Sequence, residues 1–272
     1  LLFLLVAACS ATTTVSVNLT VAVLRFRNSQ VSFTTRAYNG KFGGPVVRVP
    51  QGGTLNIRLR NDLSGAPTDG PLNWFRLPNT TNLHLHGLHV SPAGAADDVF
   101  RRVPPGSMAQ YTFDIPADHA PGTFFYHPHV HGSSSNQQSG GMAGVLIVDP
   151  KDTSGWPTAL IAMEEEVFLL QHLCFHNQGP YKSSTPYINH LELVKWGLDG
   201  LDPDPVYRNP DALLDIYLVN GEYLPNVTMS PGQFKRFRLV GAGTTAFLEL
   251  QIVLHTSSPS SFTSTTTVHA IV

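Results

Sequence analysis

The chain of 272 residues is poor in cysteine and in charge, and both shortages exclude classes of protein. Its two cysteines are Cys9 and Cys174, and Cys9 lies in an apolar N-terminal run. An intramolecular disulfide framework is therefore not expected. Charged residues make up 13% of the chain, the formal net charge is -2, and there is no run of Lys or Arg. These values give no reason to expect nucleic acid as a partner.

The N-terminus lacks an initiator Met and a basic segment, but its apolar run ending in small residues is typical of a signal peptide. We expect residues 1–11 to be the remnant of a signal peptide, with the reading frame starting further upstream, and the protein to be secreted or extracytoplasmic. The run is too short to span a bilayer, so no transmembrane span is expected. Val6-Ala7-Ala8-Cys9 also resembles a bacterial lipoprotein cleavage box, which would leave the protein lipid-anchored through Cys9. In a eukaryotic secretory route, glycosylation acceptors would be Asn18, Asn79 and Asn226.

Short apolar runs separated by turn residues predict an all-β protein. The segments Val15–Phe26, Thr54–Asn61 and Phe234–Val240 alternate apolar with polar residues, as half-buried antiparallel strands do. We predict a Greek-key β-domain over residues 12–150 and a second, incomplete one over 158–254, with its strands starting near Thr158. Residues 255–272 are rich in Ser and Thr and are expected to be an unstructured or artefactual tail.

Two His-x-His pairs are the strongest functional signal in the sequence. Because side chains alternate along a strand, His84 and His86 share one face, and so do His127 and His129. Four imidazoles would converge if the two strands lay side by side. Imidazole binds copper, zinc, iron and nickel, so the spacing leaves the metal open. A zinc-dependent hydrolase or lyase and a non-catalytic secreted copper-binding protein are the alternatives to a redox site, although no general base stands at a useful spacing for the zinc enzyme.

The wider pattern resembles the first cupredoxin domain of the laccase-like multicopper oxidases. The resemblance rests on His-Leu-His-Gly-Leu-His from His84, Asp-Asp-Val-Phe from Asp97, Phe-Tyr-His-Pro-His-Val-His-Gly from Phe125 and Gly-Met-Ala-Gly-Val-Leu-Ile-Val-Asp-Pro from Gly141. It implies tandem cupredoxin-like Greek-key β-sandwich domains and an oxidoreductase that reduces dioxygen to water at a trinuclear copper centre with electrons from a small reducing substrate. It also implies copper ligands, a type 2 ligand at His84 and type 3 ligands at His86, His127 and His129, and proton delivery by Asp97 and Asp98.

Two metal-binding segments of that family are missing from the sequence, a His-x-x-His-x-His segment and a His-Cys-His segment. The chain therefore carries half of the trinuclear ligands and no type 1 site. We expect it to be the N-terminal portion of such an oxidase, inactive without a C-terminal domain or a partner chain. His172, Cys174 and His176 have the wrong spacing for a type 1 site and are expected to be ordinary strand residues. His89 and His131 are expected to lie over the copper site without binding the metal, or at the surface. The remaining histidines are expected to face solvent: His119, His190, His255 and His269.

Overall fold

A computed structural model describes residues 12–65, 70–71, 75–173, 197–198, 206–207, 216–244, 248, 250–254 and 268–271. These residues form fourteen strands and two short helices, which confirms the all-β prediction. None of the described helices is long and apolar enough to cross a membrane. The predicted leader at residues 1–11 and the residues Cys174, His176, His190 and His255 lie outside the described residues. The elements in chain order are β1 (Thr14–Arg27), β2 (Val31–Tyr38), β3 (Val47–Pro50), β4 (Thr54–Asn61), β5 (His84–His86), β6 (Met108–Asp114), β7 (Gly122–His127), α1 (Ser134–Ser139), β8 (Gly144–Asp149), α2 (Thr158–Ile161), β9 (Glu164–Leu173), β10 (Val206–Tyr207), β11 (Ile216–Val219), β12 (Lys235–Gly241), β13 (Gln251–Leu254) and β14 (Val268–Ile271).

Two sheets form a sandwich around the main hydrophobic core. One has the strand order β10-β2-β1-β4-β6 and the other β3-β8-β7-β5. The predicted alternation is clear in β4, where Leu55, Ile57 and Leu59 are fully buried while the intervening arginines are exposed. The core between the sheets includes residues from both, among them Leu19, Val21, Leu55, Ile57, Leu59, Leu85, Tyr111, Tyr126, Leu146 and Val148.

Tyr126 fixes β7, the strand that ends at His127 of the second histidine pair. It lies opposite Gly144 in the β7–β8 pairing, and its hydroxyl donates a hydrogen bond to Pro45 O over 2.7 Å. A Cβ atom on Gly144 would lie 2.1 Å from Tyr126 Cζ, so this position requires glycine. Burial raises the pKa of the Tyr126 hydroxyl, which therefore stays protonated and able to donate.

A third sheet, in the order β11-β9-β12, packs against the sandwich through β8. Its strands begin later than predicted, because residues Thr158–Ile161 form the short helix α2 and β9 starts at Glu164.

The alternation in β12 differs from that of a strand whose apolar side chains face the core. Its apolar residues Phe237 and Leu239 are 39% and 50% exposed. Arg236 and Arg238 turn towards Glu165 instead. In addition, β14 pairs with β13 in a region where the sequence predicts an unstructured tail.

Glu165 bonds three arginines and connects the third sheet to the sandwich through one of them, Arg48 of β3. It accepts hydrogen bonds from Arg236 Nη1 over 2.7 Å, from Arg238 Nη2 over 2.7 Å and from Arg48 Nη1 over 3.2 Å. Arg238 and Arg48 hold the pKa of the Glu165 carboxyl well below its usual range, at about 2. The carboxylate is therefore more stable in the folded protein than in the unfolded chain.

We expect Glu165→Gln to lower the free energy of unfolding at neutral pH by about 1 to 2 kcal/mol, a value reduced for the partial exposure of these groups. Because the folded pKa is depressed, this contribution is present above the unfolded value and is lost as the pH falls from about 4.5 to about 2. Urea denaturation of both proteins across this pH range measures it. Glu222→Gln, at an exposed carboxylate, is the control. A difference in free energy of unfolding between Glu165→Gln and the unmodified chain that stays constant with pH would contradict the expectation.

Candidate metal centre

The two histidine motifs lie side by side, but only the first pair lies entirely in a strand, because β7 ends at His127 and His129 follows it. The edge strand β5 pairs antiparallel with β7, with His84 opposite His127 and His86 opposite Phe125. Leu85 and Val130 are 0% and 3% exposed, and Leu85 belongs to the main core, which confirms an apolar layer behind the first pair. Gly87 follows the first pair directly and Gly132 lies three residues after the second, with φ angles of +86° and +94°, so the chain turns shortly after each pair.

The four imidazoles form one cluster. The ring centroid of His84 lies 5.6 Å from that of His86, 5.2 Å from that of His127 and 5.1 Å from that of His129. Candidate ligand atoms of His84, His86 and His127 lie within 4.8 Å of one another. His86 and His129 are exposed, whereas His127 is buried. The cluster is therefore open on one side and closed on the other.

His86 and His127 have the spacing of two ligands on one metal ion. His86 Nδ1 lies 3.1 Å from His127 Nε2. Two nitrogens bound at about 2.0 Å in a tetrahedral arrangement are about 3.3 Å apart, so the observed distance fits a shared ion. Phe125 stacks on both rings, with centroid distances of 4.3 Å to His86 and 5.2 Å to His127. The two imidazoles are thus held in place before any metal binds.

Hydrogen bonds determine which ring nitrogens are free to bind a metal. His127 Nδ1 donates to Pro128 O over 2.9 Å, and His84 Nδ1 donates to Asp97 Oδ2 over 2.9 Å. Because a carbonyl or carboxylate oxygen accepts the hydrogen in each case, the neutral form of each ring has its lone pair on Nε2. The Asp97 carboxylate also accepts from Leu85 N over 2.9 Å and is only 9% exposed. Asp97 thereby fixes both the ring and the backbone of the first motif.

The electrostatics of the cluster keep its buried ring neutral. The pKa of His127 is lowered to about 4, mainly by burial; the hydrogen bond to Pro128 O opposes this shift, and the imidazoles of His84, His86 and His129 add to it. Burial, followed by His84 and His129, also lowers the pKa of His86. A metal ion binds the unprotonated nitrogen, so these rings need not lose a proton at neutral pH. Clustered neutral imidazoles fit a late first-row metal such as copper or zinc.

Asn82 is a site residue that the sequence analysis missed. It is fully buried two residues before His84, its Oδ1 accepts from His129 N over 2.6 Å, and its Nδ2 donates to Val99 O over 2.8 Å. It therefore links the two histidine strands and the loop that carries Asp97. The only sequence signal for this role is an amide residue directly before the first motif, which is too common to interpret alone.

The remaining histidines differ in how far they match the expectations. His89 and His131 are both exposed, which agrees with the surface alternative. His119, predicted to be solvent-facing, is 5% exposed, and this prediction is wrong because its ring packs between His89 and Phe124. His172 lies in β9, is buried and stacks on Tyr217 at 4.7 Å, while its two predicted companions Cys174 and His176 lie outside the described residues.

Asp98, the second predicted acid, bonds within its own turn. Its Oδ1 accepts from Phe100 N over 3.0 Å next to Asp97, so its described bond is local rather than to a histidine.

Asn79, a predicted glycosylation acceptor, is 7% exposed, and its Nδ2 donates to Ser64 O and Gly197 O over 2.8 and 2.9 Å. A glycan on that nitrogen does not fit the folded protein, whereas Asn18 and Asn226 are exposed.

Comparison with known proteins gives consistent matches. The multicopper oxidase family profile matches residues 23–153. Laccase-1 of Thanatephorus cucumeris is 26% identical over 207 residues, which are 74% of this chain and 33% of the relative. Copper resistance protein A of Pseudomonas syringae pv. tomato is 25% identical over 247 residues, which are 80% of this chain and 37% of the relative. The chain thus spans about a third of the length of these curated relatives.

Solved structures agree on the fold. A multi-copper oxidase from Pseudomonas thermotolerans superposes with a TM-score of 0.59 at 22% identity, covering 89% of this chain and 50% of that one. A copper nitrite reductase from Nitrosomonas europaea superposes with a TM-score of 0.54 at 24% identity, covering 85% of this chain and 68% of that one. At these identities the likeness shows the fold alone, which is the cupredoxin-like β-sandwich predicted from the sequence.

Proposed function

The chain belongs to the multicopper oxidase family through residues 23–153, and on that premise we propose that its four clustered imidazoles form one wall of a trinuclear copper centre. In this role His84 is a type 2 copper ligand, and His86, His127 and His129 are type 3 ligands. The observation that carries the proposal is the facing pair His86 Nδ1 and His127 Nε2, 3.1 Å apart beside two further imidazoles. Copper is the metal that the family implies.

The proposed reaction is the four-electron reduction of dioxygen to water, coupled to one-electron oxidations of a small reducing substrate. When bound, copper supplies the electron transfer that the side chains lack. The residues of this chain hold the site: Asp97 keeps the Nδ1 hydrogen on His84, and Pro128 O does so on His127. Burial of His127 keeps water from that side of the cluster.

Proton supply is a further part of the proposal. Reduction of one dioxygen to two waters consumes four protons with the four electrons, so an acid near the site has a chemical role. Asp97 is in contact with His84, and Asp98, which is partly exposed, is the next residue towards solvent. This arrangement supports proton delivery by the pair Asp97 and Asp98.

We also propose that the 272 residues are not a complete oxidase. They form a first domain over residues 12–150 and part of a second over 158–254, supported by the sandwich of β1 to β8 and the separate sheet of β9, β11 and β12. The four imidazoles are half of the trinuclear ligands, and the sequence has no His-Cys-His segment for a type 1 site. The remaining ligands would come from a further domain or a partner chain. Export from the cytoplasm, through a signal peptide or with a lipid anchor at Cys9, is part of the same proposal.

We expect the purified chain to bind Cu(II) through imidazole nitrogens, without the intense absorption near 600 nm typical of a copper–thiolate site, and to consume no dioxygen with a phenolic donor. Metal titration, electron paramagnetic resonance and an oxygen electrode measure the three properties. Oxygen consumption by the chain alone would overturn the proposed incompleteness. Preference for Zn(II) with hydrolytic or lyase activity would favour a zinc enzyme instead. A longer protein that contains this chain, loads copper fully and still consumes no dioxygen would indicate a non-catalytic copper-binding role.

A further inference from the structure

One histidine outside the cluster has both ring nitrogens bonded within the protein. His119 Nδ1 lies 2.8 Å from Ala120 O, and His119 Nε2 lies 3.1 Å from the backbone nitrogen of His89. A carbonyl oxygen can only accept and a backbone N–H can only donate, so Nδ1 carries the hydrogen and Nε2 accepts. The ring is 5% exposed and bonded at both nitrogens, so it is a fixed acceptor for the His89 amide.

The backbone of His119 is held equally firmly. Its N–H donates to Pro116 O over 3.1 Å, and its carbonyl accepts a hydrogen bond from Gln51 Nε2. Gln51 follows β3, in the same sheet as the histidine strands. The backbone of His119 is thus fixed to the sandwich by hydrogen bonds of both its N–H and its carbonyl group.

The bond from His119 reaches the segment directly after the first pair of ligands. His89 is three residues after His86, and Gly87 between them has a φ of +86°. Phe124 packs on this glycine, since a Cβ there would lie 3.3 Å from Phe124 Cδ1. The His119 ring contacts the same Phe124 edge-on, with centroids 5.3 Å apart. His119 therefore holds residues 87–89 by one hydrogen bond and through one shared aromatic contact.

The first ligand strand needs this support. β5 has only three residues and lies at the sheet edge, with β7 as its only strand neighbour in the described sheet. The loop after it runs from Gly87 to Asp97, whose carboxylate returns to His84 and Leu85. One end of the loop is thus fixed by Asp97 and the other by His119. We propose that His119 is a positioning residue that sets the geometry of the copper ligands His84 and His86; this rests on the proposed function, in which these two residues bind copper.

The test compares His119→Leu, which removes the acceptor, with His119→Gln, whose Oε1 restores one. In the metal-free protein, we expect His119→Leu to speed amide hydrogen exchange at His89 by about tenfold or more and His119→Gln to retain the protection. In copper titrations, we expect His119→Leu to weaken binding by about tenfold and His119→Gln to restore most of it. His89→Ala is the matched control, because it keeps the backbone N–H and should keep the affinity.

A variant with lower thermal stability but unchanged copper affinity would show a merely structural role and overturn the inference, as would unchanged exchange at His89. If His119→Leu does not fold, His89→Pro is compared with His89→Ala. His89 is exposed, and proline has no backbone N–H, so His89→Pro removes the hydrogen bond to His119 that His89→Ala keeps. Equal copper affinity in those two variants would overturn the inference. Absence of copper binding by the unmodified chain would instead contradict the proposed function, and the exchange at His89 would still decide whether His119 anchors the loop.

Discussion

Replacing His127 with Asn should lower the copper affinity of the chain by about a hundredfold or more, equivalent to about 2.7 kcal/mol. The Asn side chain can still donate to Pro128 O as His127 Nδ1 does, over 2.9 Å in the native protein. It cannot present a lone pair where Nε2 faces His86 Nδ1 at 3.1 Å. The substitution therefore removes one ligand of a pair while keeping the buried hydrogen bond. Competition titration with a copper chelator measures the affinity.

The control for this variant is His131→Asn, the same substitution at an exposed histidine four residues along the chain. We expect His131→Asn to bind copper as the unmodified chain does, because the residue lies outside the proposed ligand set. Circular dichroism of both variants establishes that they fold. A folded His127→Asn protein with native affinity would place the copper site elsewhere and contradict the ligand assignment.

The histidine site could be predicted because its essential geometry is local. A period of two along a strand puts His84 and His86 on one face, and the buried Leu85 between them confirms that facing. The pairing of the two strands followed from the resemblance and from their similar motifs, and the observed register places His84 opposite His127.

What could not be predicted depends on contacts between residues distant in the sequence. The bond between Asp97 and His84 joins residues thirteen positions apart, and the bond between His119 and His89 joins residues thirty positions apart. The hydropathy pattern carries no information about such pairs. The sequence therefore predicts a solvent-facing His119, although the residue is buried. The same limit explains β12: its alternation predicts a buried apolar face, but Glu165 in the neighbouring strand draws Arg236 and Arg238 inward. Charge pairing across strands overrides the apolar pattern there.

Asp97→Asn is expected to weaken copper binding by about 10- to 100-fold, as loss of a carboxylate partner to a ligand histidine typically does. The native carboxylate accepts from both His84 Nδ1 and Leu85 N, at 2.9 Å each. An amide of the same size offers one oxygen acceptor and an NH₂ group that can only donate, so one of these two N–H groups faces a donor. Either the ring tautomer of His84 or the backbone of β5 then loses its support. Copper titration and nitrogen chemical shifts of the His84 ring report on the two effects separately.

The matched control, Asp98→Asn, decides between the two roles open to the acidic pair. Asp98 Oδ1 accepts from Phe100 N in its own turn, so its substitution should leave the copper affinity of this chain unchanged. A residue that only delivers protons affects the rate of dioxygen reduction in a complete oxidase and not the metal affinity, whereas a residue that orients His84 must affect the affinity. Loss of affinity in Asp97→Asn but not in Asp98→Asn would therefore assign orientation to Asp97. Native affinity in both variants would contradict that role and leave proton delivery as the function of the buried carboxylate beside His84.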